Sequence, residues 1–281
     1  MRSGGNAWGT REELQCSAGD DFEAFAMTPQ EDAAFAFGQE LLDFAIEFVA
    51  AVPSPSVTSE NPCDPKLIGL TLLCRSISNF RGALVLARDE QPVESRALVR
   101  LIFENFFFVA ALCDLGMDFV KQMRSDEAAS RKALGELTLK GLSDAAKKGE
   151  HAQIIRTQIR NLLAEFPKPK KFGSVSAVAG TTVAHHGYLS YAVLSMDAVH
   201  PSITALRRHL QWELEGDTRY LTLNVFPRFN ANERLNTIDE ACSALLGICV
   251  AVNQLHGGTP KNDALHQLFE RFKAEGFHAA R

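Results

Sequence analysis

Residues 92–116 read PVESRALVRLIFENFFFVAALCDLG, and how this stretch is read decides the fold. A proline that can open a helix and a glycine that can close one bracket it. From Leu101 to Cys113 apolar side chains stand at nearly every position, so they run all round the helix rather than along one stripe. A helix that is apolar on every side has to be enclosed by others. The stretch is therefore expected to be the central helix of a multi-helix bundle.

Outward from it, the same punctuation recurs. KLIGLTLLCRSISNFRGALVLARDE, upstream, predicts a helix over about 66–89, broken at Gln91-Pro92. Thr28-Pro29-Gln30-Glu31 predicts a capped start, and that helix runs to about Val52 before Pro53-Ser54-Pro55 stops it. Residues 1–28 are rich in Gly, Ser and acids and are expected to form a loose tail. Downstream, 117–148 is polar with helical spacing, 150–165 predicts another helix, and the basic FPKPKKFGS is a connection. YLSYAVLSMDAVHPS, 188–202, follows Gly187, and a short helix is expected through SITALRRHL from Pro201. The period changes in one place: Leu221, Leu223 and Val225 alternate with Thr222 and Asn224 behind a Glu-Gly-Asp turn, predicting a β-hairpin over about 211–226. Final helices are expected over 231–255 and 263–274. The expected fold class is all-α, a multi-helix bundle with a small β-hairpin insertion, forming one domain over 29–281.

Composition narrows the function classes. Of 281 residues, 46% are hydrophobic and 22% charged, ordinary for a globular chain. A net charge of −5 does not support nucleic-acid binding. The six cysteines include no C-x-x-C pair; Cys74 and Cys113, like most of them, have apolar neighbours and are expected to be reduced core residues. No zinc site, disulfide framework, phosphate loop or cofactor motif is expected. The longest apolar runs are too short or too interrupted to span a bilayer, and the N-terminus lacks the apolar stretch of a signal peptide. No membrane association and a cytoplasmic location are expected.

The polar residues set inside apolar helices mark the candidate site. Arg96, Arg100 and Glu104 lie on one line along the central helix. An unpartnered buried carboxylate would cost several kcal/mol, roughly, which obliges Glu104 to find a partner, and Arg100 is the nearest. On the segment from Tyr188, residues Tyr188, Tyr191, Ser195 and Val199 share one stripe, with Leu189, Val193 and Met196 on a neighbouring apolar face. His200 stands before Pro201, where the α conformation is disfavoured. The two helices are expected to face each other, giving a binding set of Arg100, Glu104, Tyr191, Ser195 and His200. Glu104, Ser195 and His200 are the catalytic candidates, with His200 as general acid or base. A hydrogen-bonded structural plug is the other reading, and both stay open. His185-His186 makes no metal site, since adjacent helical side chains diverge by about 100°. Arg207-Arg208-His209 and Lys168, Lys170, Lys171 read as solvated basic surface, while Arg81 and Arg88 are candidates to join the polar interior.

RALVRLIFENFFF, followed nearly a hundred residues on by YAVLSMDAVHPS, resembles an uncharacterised family of bacterial all-helical proteins. That family shows an Arg-x-x-x-Glu pair in an apolar helix, then Tyr-x-x-x-Ser leading to His and a small residue. The matching residues are Arg100, Glu104, Tyr191, Ser195, His200 and Ser202, within a resemblance over about 66–255. It implies the helical fold and singles out these polar residues; it carries no activity. The bundle is also similar to the HEPN group of bacterial defence and toxin proteins, some of them RNases, which place His after Arg with four to six residues between them. One formal match exists, Arg271 to His278, with Phe272 where that group has a polar residue, so the likeness is an analogy of fold. Two readings of function follow. One is a non-enzymatic or regulatory interaction module, as a homo-oligomer. The other is a HEPN-like protein whose small pocket binds or cleaves RNA or a nucleotide.

Overall fold

The first helix, α1 (Pro29–Ala51), opens on a reciprocal cap. Thr28 Oγ1 accepts from the Glu31 backbone N–H at 3.2 Å, and the Glu31 carboxylate accepts from the Thr28 N–H at 2.8 Å. The bonds satisfy two of the donors that every helix start leaves over. This is the start that Thr28-Pro29-Gln30-Glu31 predicts. The computed structural model describes residues 27–53, 63–172, 175–179, 185, 187–198, 202–215, 218–230 and 232–275. The tail over 1–26, the hairpin turn at 216–217, His186 and His200 fall outside those residues. Met27, assigned to the tail from sequence, packs against the core.

The chain continues through α2 (Pro65–Arg88), α3 (Pro92–Leu115), α4 (Met117–Gly141) and α5 (Glu150–Glu165). After these come α6 (Val175–Ala179), α7 (Tyr188–Ala198), α8 (Ile203–Leu206), the strands β1 (Leu210–Glu215) and β2 (Thr218–Leu223), α9 (Glu233–Leu255) and α10 (Asn262–Glu275). The fold class is all-α with one small antiparallel hairpin, as the sequence predicts. α4 stops at Gly141, short of the 117–148 expected, and the chain then turns through a 3-10 element at Ala146–Lys148. Between α3 and α4, Gly116 takes φ 52°, a left-handed conformation that other residues seldom adopt.

α3 is the hub. α2 and α9 flank it and touch each other, α1 packs on both of them, and α6 and α7 also lie against α3. Its Val99, Ile102, Phe107, Val109 and Leu112 are completely enclosed. Each such side chain contributes about 1.5–3 kcal/mol of hydrophobic stabilisation. α9 is the helix among the described residues long and apolar enough to cross a membrane, but 67% of that stretch is already buried against its neighbours.

The polar atoms between α2 and α3 are matched across the helices. Ser95 Oγ donates to the Ala83 carbonyl at 2.9 Å, and Asn105 Nδ2 donates to Ser76 Oγ at 3.0 Å. Arg81 and Arg88 do not join this interior. Both are exposed, and Arg88 instead lies over the Phe35 ring at 4.8 Å. Cys242 and Cys249 are buried on α9 and Cys113 is half-buried on α3, all as free thiols. Cys74, expected inside, stands exposed on α2, where the neighbouring Leu73 takes the fully buried position.

Candidate functional site

Two helices with no sequence proximity create the site, and close backbone approach brings them together. A Cβ on Gly187, just before α7, would stand 3.1 Å from the Phe103 ring of α3, so any other residue there would press the ring back by a few tenths of an ångström. The Tyr191 ring then packs edge-on to Phe107 at 5.7 Å, and Leu194 is fully enclosed.

This seating delivers the α7 polar stripe to the Arg100–Glu104 pair. Arg100 reaches Glu104 Oε1 at 2.8 Å along its own helix. It also donates to Ser195 Oγ at 2.8 Å and to Tyr191 Oη at 2.9 Å, with its guanidinium 4.9 Å from the Tyr191 ring centre. Tyr191 Oη in turn donates to Glu104 Oε1 at 3.1 Å, and the Ser195 hydroxyl donates to the Tyr191 carbonyl at 2.8 Å. Burial first, and then the Glu104 charge, push the Tyr191 phenol above its ordinary pKa, so it stays a proton donor. Four of the five residues chosen from sequence therefore meet within hydrogen-bond reach. The fifth, His200, lies outside the described residues, as does the Val199 end of the stripe.

Among the described residues the cluster is a closed circuit. A serine nucleophile needs a base to take its proton. Here the Ser195 proton is engaged by a backbone carbonyl and its oxygen receives the Arg100 N–H. Glu104 already receives both Arg100 and Tyr191.

A second polar cluster lies one helical turn earlier on α3, and the sequence reading did not single it out. Arg96 donates through Nε to Asp197 Oδ2 at 2.7 Å and through Nη1 to Thr237 Oγ1 at 3.3 Å. Arg208 grips the other side of Asp197 through Nε at 2.8 Å, and holds both carboxylate oxygens of Glu233. Asp197 and Arg208 side chains are only 10% and 12% exposed, so within the basic run Arg208 is not the solvated surface expected, whereas Arg207 is exposed. Two acids on α7 and α9 draw Arg208 inward. Burial would raise the Asp197 carboxyl, but the bonds and charges of Arg208 and Arg96 outweigh that and hold it below its usual range. The hydrogen bond to Glu233 likewise holds the Arg208 guanidinium above its ordinary pKa against the cost of burial.

A third buried arginine, Arg234, ties α9 to Glu31 at the start of α1 and to Glu90, which sits at φ 56° in the α2–α3 turn. The local signals for these clusters were Arg96, in line with Arg100 and Glu104 on α3, and an acid, Asp197, in the otherwise apolar α7. Other sequence candidates are placed elsewhere. Arg271 is bound to Glu40 and Glu275 and lies over Phe37 at 5.3 Å, and its spaced partner His278 is outside the described residues. No group of three or more His, Cys, Asp or Glu at metal-binding geometry occurs among the described residues. A surface groove of about 540 Å³ runs between α4 and α5, lined by Leu134, Ile155, Ile159 and Leu162, far along the chain from both clusters.

No curated protein and no solved structure matches the chain. The sequence profile of a family of unknown function, DUF5677, matches residues 66–218. That span carries α2 to α8 and most of the hairpin, and with them Arg96, Arg100, Glu104, Tyr191, Ser195, Asp197 and Arg208. Since the match covers more than half of its length, the chain belongs to the DUF5677 family of unknown function.

Proposed function

We propose that this protein is a non-enzymatic interaction module, a single bundle domain over 29–281, in which the Arg100–Glu104–Tyr191–Ser195 cluster fixes α7 against α3. The observation that supports this reading is the closed circuit of donors. The Ser195 proton goes to a main-chain carbonyl, and every described member of the cluster is already bonded to another member. Such a network specifies position, because each broken bond leaves a partner unsatisfied in a poorly hydrated place. Its location is proposed as cytoplasmic, supported by five described cysteines that are all unpaired thiols.

Native mass spectrometry of the full chain, together with thermal melts of Ser195→Ala and Glu104→Gln, tests the reading. Masses at whole multiples of 30.8 kDa, with both variants folded but less stable, are expected. A bound nucleotide or other small molecule that disappears in Ser195→Ala while the melt is unchanged would replace this reading with a HEPN-like or other small-molecule pocket.

A further inference from the structure

Between α7 and the end of the hairpin the usual arrangement of polar and apolar faces is reversed. α7 turns Tyr191, Ser195 and Asp197 inward and leaves Leu189 73% and Met196 60% exposed. The hairpin repeats the inversion. Its register pairs Leu210 with Leu223 and Trp212 with Leu221, and cross-strand partners share a face. All four are exposed, and Leu214 on the same face is 76% exposed. On the opposite face Thr222 is buried at 3% and donates to Glu213 at 2.9 Å, and Glu213 also accepts from Tyr220. Twelve of the twenty large exposed hydrophobics among the described residues fall within 188–226, which concentrates uncovered apolar surface in this segment.

We propose that the outer face of the β1–β2 hairpin is a homodimer surface, covered by the same face of a second copy of this chain. The inference rests on the interaction-module reading and names that module's partner. A two-stranded hairpin is marginal until its apolar face packs on something. Two hairpins stacked about a two-fold axis form a small two-layer sandwich at the ~10 Å spacing of packed sheets. The outer face holds a single charge, Arg219, and its guanidinium already lies over the Trp212 ring at 4.9 Å. Pairing with its own copy therefore brings together one pair of like charges, the two Arg219, each lying over an aromatic ring, and the face lacks the basic cluster that an anionic membrane would select. Leu210, Trp212, Leu214, Leu221, Leu223 and the neighbouring Phe226, 79% exposed, together offer several hundred Å² of apolar surface. Two copies reach on the order of the ~1,000 Å² that a specific interface needs. The base of the hairpin is also fixed in advance, since Arg208 anchors it to Asp197 and Glu233, so little order has to be gained on pairing.

Analytical ultracentrifugation of the full chain over about 1–100 µM, alongside native mass spectrometry, decides the matter. The wild type is expected to be a dimer. Trp212→Glu and Leu214→Glu should each raise the dissociation constant about 100-fold while keeping the helical circular dichroism, because a charge is forced into the paired face. Leu134→Glu, on the α4–α5 groove, should dimerise like the wild type. If Trp212→Glu fails to fold, the milder Leu214→Ser on a side chain 76% exposed gives the reading instead. A wild type monomeric at ~100 µM, hairpin variants that still pair, or pairing lost only in Leu134→Glu would each overturn the proposal, as would a monomer that sediments with phosphatidylserine vesicles. A bound small molecule in the native spectrum overturns the module reading itself and is seen whatever the oligomeric state.

Discussion

α3 and α7 lie against each other, yet they are held by opposite means. α3 is enclosed through its apolar side chains, with Ile102, Phe107 and Leu112 fully buried. α7 contributes Tyr191 and Leu194 to the core but is fixed along the rest of its inner face by Arg100, Arg96 and Arg208. Hydrophobic burial is non-directional and tolerates small shifts, whereas a bonded network holds one arrangement and fails when one member is removed. The contrast explains how α7 can carry an exposed apolar stripe without collapsing inward: its polar side already has a better position.

Each side of the contrast can be broken separately. Phe107→Ala, on the apolar side, should cost about 3–5 kcal/mol and lower the urea midpoint with the slope unchanged. Asp197→Ala, on the polar side, should cost roughly 3 kcal/mol, since it leaves Arg96 and Arg208 buried beside Glu233 with too little negative charge. Hydrogen exchange sharpens the distinction, because the Asp197 loss should speed exchange in α7 while the α9 amides keep more of their protection.

Acid should act on the polar side first. Asp197 has a lowered folded pKa, so its contribution is fully present above the ordinary aspartate value of 3.8 and is lost as pH falls through the folded value. Stability measured from pH 6 down to about pH 2 should therefore decline below about pH 4, and Asp197→Asn should flatten that part of the curve. The smallest effect belongs to Ser195→Ala, roughly 1 kcal/mol, which removes the hydroxyl's bonds to Arg100 and to the Tyr191 carbonyl and leaves Arg100, Glu104 and Tyr191 bonded to one another. A loss well above that would mean that the hydroxyl holds more than Arg100 and the Tyr191 carbonyl.

The two clusters also differ in how far they could be read from sequence. Arg100 and Glu104 are one turn apart on one helix, and Tyr191 and Ser195 one turn apart on another, so local spacing suffices to pair each set. Their meeting needed only the argument that a buried ion pair seeks hydroxyls. Arg96 and Asp197 are 101 residues apart and Arg208 finds Glu233 across 25, separations for which no local pattern exists. Arg208 stood in a run that looked solvated, and only the position of two acids on other helices decides otherwise. The direction of α7 was equally open, because a stripe of Tyr and Ser and a stripe of Leu, Val and Met are both plausible core faces. Helix starts were legible at Thr28 and Pro92, where a cap or proline marks them, and to within one residue at Pro65. The end of α4 was not, because Gly141 differs little in context from Gly135, which stays helical against Ile159.

The free thiols give the molecule a graded set of internal reporters. Cys74 is open to solvent, Cys113 is half-covered with its pKa pushed to about 11 by burial, and Cys249 is sealed at about 12. Alkylation proceeds through the thiolate, so Cys74 reacts from the native state while Cys249 has to wait for α9 to leave its neighbours. Pulse-labelled with an alkylating reagent and read by mass, the chain would record the order in which its layers open, using only the residues it was made with.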